Sequence, residues 1–324
     1  MAGPDLDELV GRAREGQPRA VARLISLIES DTGSSPQVAD IARALTPYTG
    51  RARVVGLTGP PGVGKSTSTS ALLTALRGEG LRVGVLAIDP SSPFSGGALL
   101  GDRIRMTEHA TDPGVFIRSM ATRGHLGGLS WATPQAVRVL DAAGFDVVLI
   151  ETVGVGQSEV DVVKLADTTV VLLAPGMGDG IQAAKAGVLE IADVFVVNKA
   201  DRDGADATVH DLKQMITLAR RELRGPSWRQ PIVRTVAAKG EGVDEVVSAL
   251  RTHHEWLVAH GELDRRRAAR AREEVAAIAL RRLHAELADL RHGDRLGELA
   301  ARVVARELDP FAAADQLIGE LKDS

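Results

Sequence analysis

An alternation of short apolar runs with longer helical stretches between residues 52 and 260 constrains the fold of this chain most. The apolar runs are continuous Val, Ile and Leu segments without period-two alternation, which is typical of strands covered on both faces. The predicted strands are Val54–Thr58, Val83–Ile88, Val115–Ser119, Val147–Ile150, Thr169–Leu173, Val194–Val197 and Ile232–Thr235. The predicted helices between them are 65–78, 131–143, 181–191, 206–223 and 243–259. This alternation predicts an α/β fold with a doubly wound, mostly parallel sheet.

Helical segments flank this region on both sides. We predict an N-terminal helical extension at 1–50, a nucleotide-binding domain at 51–260 and a C-terminal helical arm at 261–324. A short heptad pattern runs along the arm at Ala276, Leu280, Leu283, Leu287 and Leu290. Because two heptads are few, a helix that docks on its own domain and a homodimer seam both stay open.

The composition excludes several classes of function. The net charge is −4, from 39 basic and 43 acidic residues, so no electrostatic signal for nucleic acid or an anionic membrane is present. The chain has no cysteine, which excludes disulfides, thiol catalysis and Cys-ligated metals, and which fits a cytoplasmic protein. No signal peptide is expected at the N-terminus, and no apolar run approaches the ~20 residues that a spanning helix needs.

A phosphate-binding loop follows the first predicted strand directly. The motif G-x-x-x-x-G-K-[ST] is complete over Gly59–Ser66, and a helix is predicted to begin where it ends. Glycines let backbone N–H groups wrap phosphates, and the helix directs its positive end at them. We expect Lys65 to reach the β- and γ-phosphates and the Ser66 hydroxyl to ligate Mg²⁺. The predicted nucleotide contacts here are Gly59, Pro60, Pro61, Gly62, Val63, Gly64, Lys65, Ser66 and Thr67.

Acidic residues occur at the ends of two further predicted strands. Asp89 ends one of them and opens a Ser/Gly/Pro-rich stretch that reaches Asp102. Glu151 ends another, with Gly154 three residues later, so the acid can hold Mg²⁺ through water and the Gly154 N–H can sense the γ-phosphate. Small GTPases have Asp where this chain has Glu151, and a water-orienting Gln where it has Val155. Hydrolysis is therefore expected to be slow unless a partner completes the site.

The base-reading motif is Asn198-Lys199-Ala200-Asp201, which follows a predicted strand. An Asp carboxylate accepts two parallel hydrogen bonds from N1–H and the 2-amino group of guanine, whereas adenine would leave a buried carboxylate unpaired. The segment Ala237-Ala238-Lys239 could supply the backbone N–H that reads guanine O6, although a simple connecting loop explains it equally well. Together with the phosphate loop, this motif predicts a GTP-binding protein.

Other residues support weaker hypotheses. A glycine-dense loop at Pro175–Gly180, with Gln182 and Lys185 behind it, is interpreted as an additional switch loop. The pair His253-His254 is expected at a helix surface, since no third metal ligand stands at the right spacing. A basic cluster at Arg265, Arg266, Arg267, Arg270 and Arg272 is flanked by acids, so we expect a solvated helix face. Trp131, Trp228 and Trp256 are expected to be packing residues.

The order of these motifs closely resembles the MeaB/ArgK family of G-protein chaperones for adenosylcobalamin-dependent methylmalonyl-CoA mutase. The most specific blocks are Ile88-Asp89-Pro90-Ser91-Ser92-Pro93 and Glu151-Thr152-Val153-Gly154-Val155-Gly156-Gln157. The resemblance implies a homodimer built on the C-terminal helices and Mg²⁺ held by Ser66, with Asp89, Asp102 and Glu151 binding directly or through water. It also implies that the loop Pro175–Gln182 is a third switch through which the mutase stimulates hydrolysis. GTP binding and hydrolysis would then gate delivery of adenosylcobalamin to the mutase and protect or rescue that enzyme.

Two other classes of protein share parts of this pattern. Nickel-insertion GTPases have the same kind of acid at Glu151, but they carry Cys/His metal motifs, and the absence of cysteine counts against them. A small-molecule kinase would use the same phosphate loop, and relatives have been called arginine/ornithine transport kinases. The sequence does not say which acyl-CoA mutase would be served.

Overall fold

A parallel sheet of seven strands forms the centre of the part of the chain that this computed structural model describes. The described residues are 4–31, 35–89, 108–109, 111–121, 132–152, 164–176, 191–220, 227–292 and 295–322, without the side chains of 89, 219–220, 284–292, 295 and 320–322. The strands are β1 (Arg53–Thr58), β2 (Val83–Asp89), β3 (Val115–Ala121), β4 (Val147–Thr152), β5 (Thr168–Leu173), β6 (Val194–Asn198) and β7 (Ile232–Thr235). Every predicted strand is confirmed, with ends displaced by two residues at most.

The strand order β3-β2-β4-β1-β5-β6-β7 confirms a doubly wound sheet. All six residues of β4 and of β5 are buried, which explains why these segments are continuously apolar. The chain first moves from β1 to one side of the sheet and later returns to build the other side. Beside the carboxyl end of β1, the connections therefore diverge, and ligands of open α/β sheets bind in such a crevice.

Helices cover both faces of the sheet, and further helices follow at the C-terminal end of the chain. The helices are α1 (Pro4–Arg14), α2 (Pro18–Ser30), α3 (Pro36–Leu45), α4 (Lys65–Gly78), α5 (Ala132–Ala142), α6 (Ala205–Arg220), α7 (Val243–Ala259), α8 (Glu262–His292), α9 (Arg295–Val304) and α10 (Pro310–Lys322). The predicted helix 181–191 lies outside the described residues except for its last position. None of the helices in the described ranges is long and apolar enough to cross a membrane.

The N-terminal helices share a hydrophobic cluster with one face of the sheet. Leu24 and Ile25 of α2 are fully buried, in the cluster that contains Ile150 of β4 and residues of α5. Helices α4 and α7 cover the other face, where Leu73 packs with β-strand residues. Fully burying one such side chain contributes about 1.5–3 kcal/mol. The three-domain division remains a prediction.

Three arginines of the α8 basic cluster dock at the amino-terminal ends of the strands, here called the amino edge of the sheet. Arg267 and Arg270 each lie 3.0 Å from Asp167, which precedes β5, and Arg266 lies 2.8 Å from Asp193, which precedes β6. Burial raises the pKa of Asp167, but the hydrogen bond from Arg267 and the charge of Arg270 outweigh it and leave that pKa below its ordinary value. The predicted solvated face is therefore wrong for these three arginines.

His253 is fully buried in α7, so its predicted surface position is wrong. Its Nδ1 lies 2.8 Å from Thr168 Oγ1, and its Nε2 lies 3.3 Å from an oxygen of Asp193. Burial lowers the pKa of His253 to about 4, which keeps the imidazole neutral at pH 7. Trp228 and Trp256 have ring centroids 4.8 Å and 6.3 Å from it, consistent with packing roles.

The part of α8 beyond these contacts presents apolar residues to solvent. Leu280 is 59% exposed and Leu283 is 50% exposed. The side chains of Leu287 and Leu290 lie outside the description. The beginning of α8 thus docks on its own sheet, while the homodimer seam further along it remains a prediction.

Candidate nucleotide-binding site

The phosphate loop, residues 59–64, makes a tight turn between β1 and α4. Gly59, Gly62 and Gly64 have φ angles of +142°, +80° and +94°, which disfavour residues with a Cβ. A Cβ on Gly59 would lie 2.2 Å from the Leu172 carbonyl oxygen, and one on Gly64 would lie 2.6 Å from Asn198 Nδ2. The loop can therefore lie this close to its neighbours only because positions 59 and 64 are glycines.

Lys65 begins α4 and folds back over the loop. Its side chain is buried, and Nζ donates hydrogen bonds to the carbonyl oxygens of Gly59 at 2.5 Å and Pro60 at 3.0 Å. The first turn of α4 has no acidic residue, so the positive end of the helix is not neutralised from within that turn. Thr67 lies in the same turn and is exposed. The loop thus combines an ammonium group with a helix N-terminus, the two features that favour phosphate.

The side chains of Ser66, in the first turn of α4, and Glu151, in β4, meet at the carboxyl-terminal ends of the strands, here called the carboxyl edge of the sheet. The Ser66 hydroxyl donates to Glu151 Oε1 at 2.6 Å, and both residues are buried. Glu151 comes into reach because β4 pairs with β1, with Glu151 opposite Leu57. A hydroxyl and a carboxylate are the hard oxygen donors that Mg²⁺ prefers. The described ranges contain no group of three or more His, Asp or Glu suited to a metal.

The remaining predicted metal and switch residues have less structural description. Asp89 ends β2 two positions after Ala87, which pairs with Glu151, so its backbone lies at the same edge of the sheet. Asp102, Gly154 and Lys185 lie outside the described residues, as do Val155, Gln157 and Gln182. Ser66, Glu151 and the backbone of Asp89 are thus brought together, while the roles of all these residues remain predictions.

Asn198 is buried at the end of β6 and forms hydrogen bonds to three other segments. Its Nδ2 donates to the Val63 carbonyl oxygen at 2.8 Å. Its Oδ1 accepts hydrogen bonds from Thr235 Oγ1 and from the Ala237 N–H, each at 3.1 Å. No sequence motif marks Thr235 as a site residue. It lies opposite Asn198 because β6 and β7 are neighbouring parallel strands that end at the same level. Asn198 therefore ties the phosphate loop to the 3-10 turn at Ala237–Lys239.

Lys199 and Asp201 follow Asn198 in the chain. Lys199 has a φ of +57° and donates from Nζ to the Gly62 carbonyl oxygen at 2.6 Å. Asp201 is 44% exposed at its side chain, and its contact with guanine remains a prediction. Lys239 Nζ lies 3.2 Å from Asp201, and this hydrogen bond lowers the pKa of the carboxyl group. Ala238 lies in the same 3-10 turn.

A family model described as "Methylmalonyl Co-A mutase-associated GTPase MeaB" matches residues 21–291. The chain belongs to the MeaB family. A protein of Pyrococcus abyssi is 50% identical to it over 317 residues, which are 98% of this chain and 97% of that relative. The mouse protein named methylmalonic aciduria type A homolog, mitochondrial, is 38% identical over 279 residues, 81% of this chain and 66% of that protein. Family membership makes the chain a GTPase and confirms the expected kinship.

A solved structure extends the similarity to the whole fold. The crystal structure of a LAO/AO transport system kinase superposes with a TM-score of 0.69 at 28% sequence identity, covering 99% of each chain. Sheet, phosphate loop and family agree on an α/β P-loop fold. That fold brings Lys65, Ser66, Glu151 and Asn198 to one edge of the sheet.

Proposed function

We propose that this MeaB-family GTPase is a switch that gates adenosylcobalamin delivery to methylmalonyl-CoA mutase and that protects or reactivates the mutase. The proposal depends mainly on the family match, whose description names a mutase-associated GTPase over residues 21–291. The name of the mouse relative refers to methylmalonic aciduria, which supports an enzyme that acts on a methylmalonyl group as the partner. The geometry of the phosphate loop and of Asn198 supports the nucleotide-dependent half of the proposal.

GTP and Mg²⁺ would use the residues at the carboxyl edge. The phosphates would lie on the loop at 59–64 with Lys65 as the cation, and Asp201 would exchange its contact with Lys239 for guanine. Mg²⁺ would be held by Ser66, with Glu151, Asp89 and Asp102 binding directly or through water. When bound, the metal would neutralise charge on the phosphate oxygens. The backbone of Ala237, Ala238 and Lys239 would lie near guanine O6, because Ala237 is already fixed to Asn198.

Hydrolysis is proposed to be slow alone and faster with the partner. Glu151 is in hydrogen-bond contact with Ser66, and the position after Gly154 is Val155, which cannot orient a water molecule through a side-chain amide. A water-orienting group would then come from the mutase or from another part of the switch, such as Lys185. A homodimer through the exposed apolar positions of α8 is part of the same proposal.

Single-turnover hydrolysis of GTP, with and without methylmalonyl-CoA mutase, tests the partnership. We expect the mutase to raise the rate at least about tenfold, since groups completed in trans supply such gains. The two proteins should also co-elute when a non-hydrolysable GTP analogue is bound. A CoA-dependent enzyme that uses no cobalamin serves as the control protein. An unchanged rate together with separate elution would overturn the partnership, while the GTPase assignment would stand.

The same assay separates a switch from a small-molecule kinase. With γ-labelled GTP, a switch releases all the label as inorganic phosphate, whether or not arginine or ornithine is present. Label recovered on the amino acid would instead support a kinase activity, as in the name of the related LAO/AO transport system kinase.

A further inference from the structure

A cleft of about 460 Å³ opens at the amino edge of the sheet, on the opposite side from the phosphate loop. It lies beside Arg53 at the start of β1 and Val147 at the start of β4, next to the end of α1. Its volume falls within the ~300–1,000 Å³ that is usual for small-molecule sites. The cleft is therefore large enough for a ligand other than the proposed nucleotide.

Three arginines line this cleft: Arg14, Arg51 and Arg53. Within the described ranges, no Asp or Glu carboxylate forms an ion pair with any of the three at 4.0 Å or less. Elsewhere the structure pairs its partly buried arginines closely, as in Arg138–Glu274 at 2.6 Å and Arg267–Asp167 at 3.0 Å. The three arginines of the cleft are exposed, unlike these, and they stand against two carboxylates in the cleft wall, so the guanidinium groups exceed the carboxylates by one charge.

The two acids in the cleft wall are engaged by the backbone. The Asp141 carboxylate accepts the N–H groups of residues 50, 51 and 52 at 2.5–3.1 Å. The Asp146 carboxylate accepts the Arg82 N–H at 2.7 Å. The bonds to Asp141 hold it on the segment that carries Arg51. Within the described ranges the three guanidinium groups form no hydrogen bond to another residue, so their N–H groups stay available to a ligand.

Aromatic residues orient part of this basic surface. The Arg14 guanidinium stacks on Tyr48 with its carbon 3.4 Å from the ring centroid, which leaves its N–H edge free for an anion. Phe145 and Leu81 add apolar surface to the wall. Guanidinium groups bind phosphate in a bidentate way, and this cleft offers three of them. We propose that this cleft binds a small organic phosphate, independently of the nucleotide site.

Binding of pyrophosphate and phenyl phosphate to GDP-loaded protein tests the site, because the phosphate loop is then occupied. Calorimetry at constant free Mg²⁺ measures affinity, and a fluorescent GDP reports that the nucleotide stays bound. We expect both probes to bind, and the double variant Arg51→Gln/Arg53→Gln to bind them at least about tenfold more weakly. The matched control is Arg43→Gln, an exposed arginine of α3 outside the cleft.

Three outcomes would overturn the proposal. The first is no binding of either probe to the GDP-loaded protein. The second is equal probe affinity in the double variant and in Arg43→Gln, which would mean a solvated basic rim. The third is succinate binding as tightly as pyrophosphate, which would exclude phosphate recognition. Retained GDP affinity in the double variant verifies that it is folded, so loss of probe binding then supports the site.

Discussion

The two edges of the central sheet use buried charge in different ways. At the amino edge, Asp167 and Asp193 are held by arginines of α8, which lie 73 to 103 residues further along the chain. At the carboxyl edge, Lys65 donates to carbonyls of its own loop and Ser66 donates to Glu151. Protein ion pairs neutralise the first set of charges, while the second set consists of groups that suit a phosphate and a cation.

This difference separates residues that stabilise the fold from residues that bind. A buried carboxylate that is enclosed by guanidinium groups contributes to folding, and removing it leaves those cations unpaired. An ammonium group that rests on backbone carbonyls keeps its positive charge for an anion. Variants of Asp167 and Asp193 at the amino edge should therefore change the free energy of unfolding, and variants at the carboxyl edge should change nucleotide affinity.

Asp167→Ala should have the largest effect. It leaves Arg267 and Arg270 without their shared carboxylate and removes the acceptor of the Val54 N–H. We expect a loss of about 3–5 kcal/mol in the free energy of unfolding, measured with urea. The matched control Asp40→Ala, which removes an exposed ion pair, should lose about 0.5 kcal/mol. Equal losses in the two variants would contradict the ion-pair cluster.

Ser66→Ala, at the carboxyl edge, should change nucleotide affinity much more than the free energy of unfolding. We expect Mg²⁺-dependent GTP affinity to fall roughly 100-fold, because a metal contributes several kcal/mol at such a site. The free energy of unfolding should change by only about 1 kcal/mol, the value of one hydrogen bond. Thr74→Ala, an exposed hydroxyl later in α4, is the control. Mg²⁺-dependent affinity that survives Ser66→Ala would argue against the metal site.

His253 should make stability depend on pH. Its folded pKa of about 4 lies below the unfolded value of about 6.5, so only the unfolded chain takes up a proton between those values. Stability should therefore fall on the order of 2 kcal/mol as the pH drops from 6.5 to 4. His253→Gln should flatten this slope, and exposed His260→Gln should leave it unchanged. Identical slopes in both variants would show that another group is responsible.

Asp201→Asn should have the smallest effect, confined to base choice. We expect GDP to bind about tenfold more weakly and xanthosine diphosphate to bind more tightly, as one bidentate contact changes its donors and acceptors. The free energy of unfolding should stay the same because the side chain is exposed. Asp203→Asn, an exposed neighbour, is the control. An unchanged preference between the two nucleotides would refute Asp201 as the base-reading residue.

Local patterns predicted most of the fold and part of the site. Each strand is a continuous apolar run, and the phosphate loop and the segment that begins with Asn198 are contiguous motifs, so neighbouring residues carry the information. The contact from Asn198 to Thr235 was not predicted, although their strands are neighbours in the sheet. Pairs of this kind depend on strand order, which the motifs alone do not determine.

The sequence by itself determined the α/β class, the strand positions, the phosphate loop and the family, because these depend on periodicity and contiguous motifs. Only the tertiary structure decided which charges are buried. Acids near Arg266 and Arg267 in the chain indicated a solvated face, yet the residues that bind them are Asp167 and Asp193. His253 is likewise buried by a distant segment, because its side chain contacts Thr168 of β5. Burial and charge pairing depend on distant segments that meet in space, and local composition does not report them.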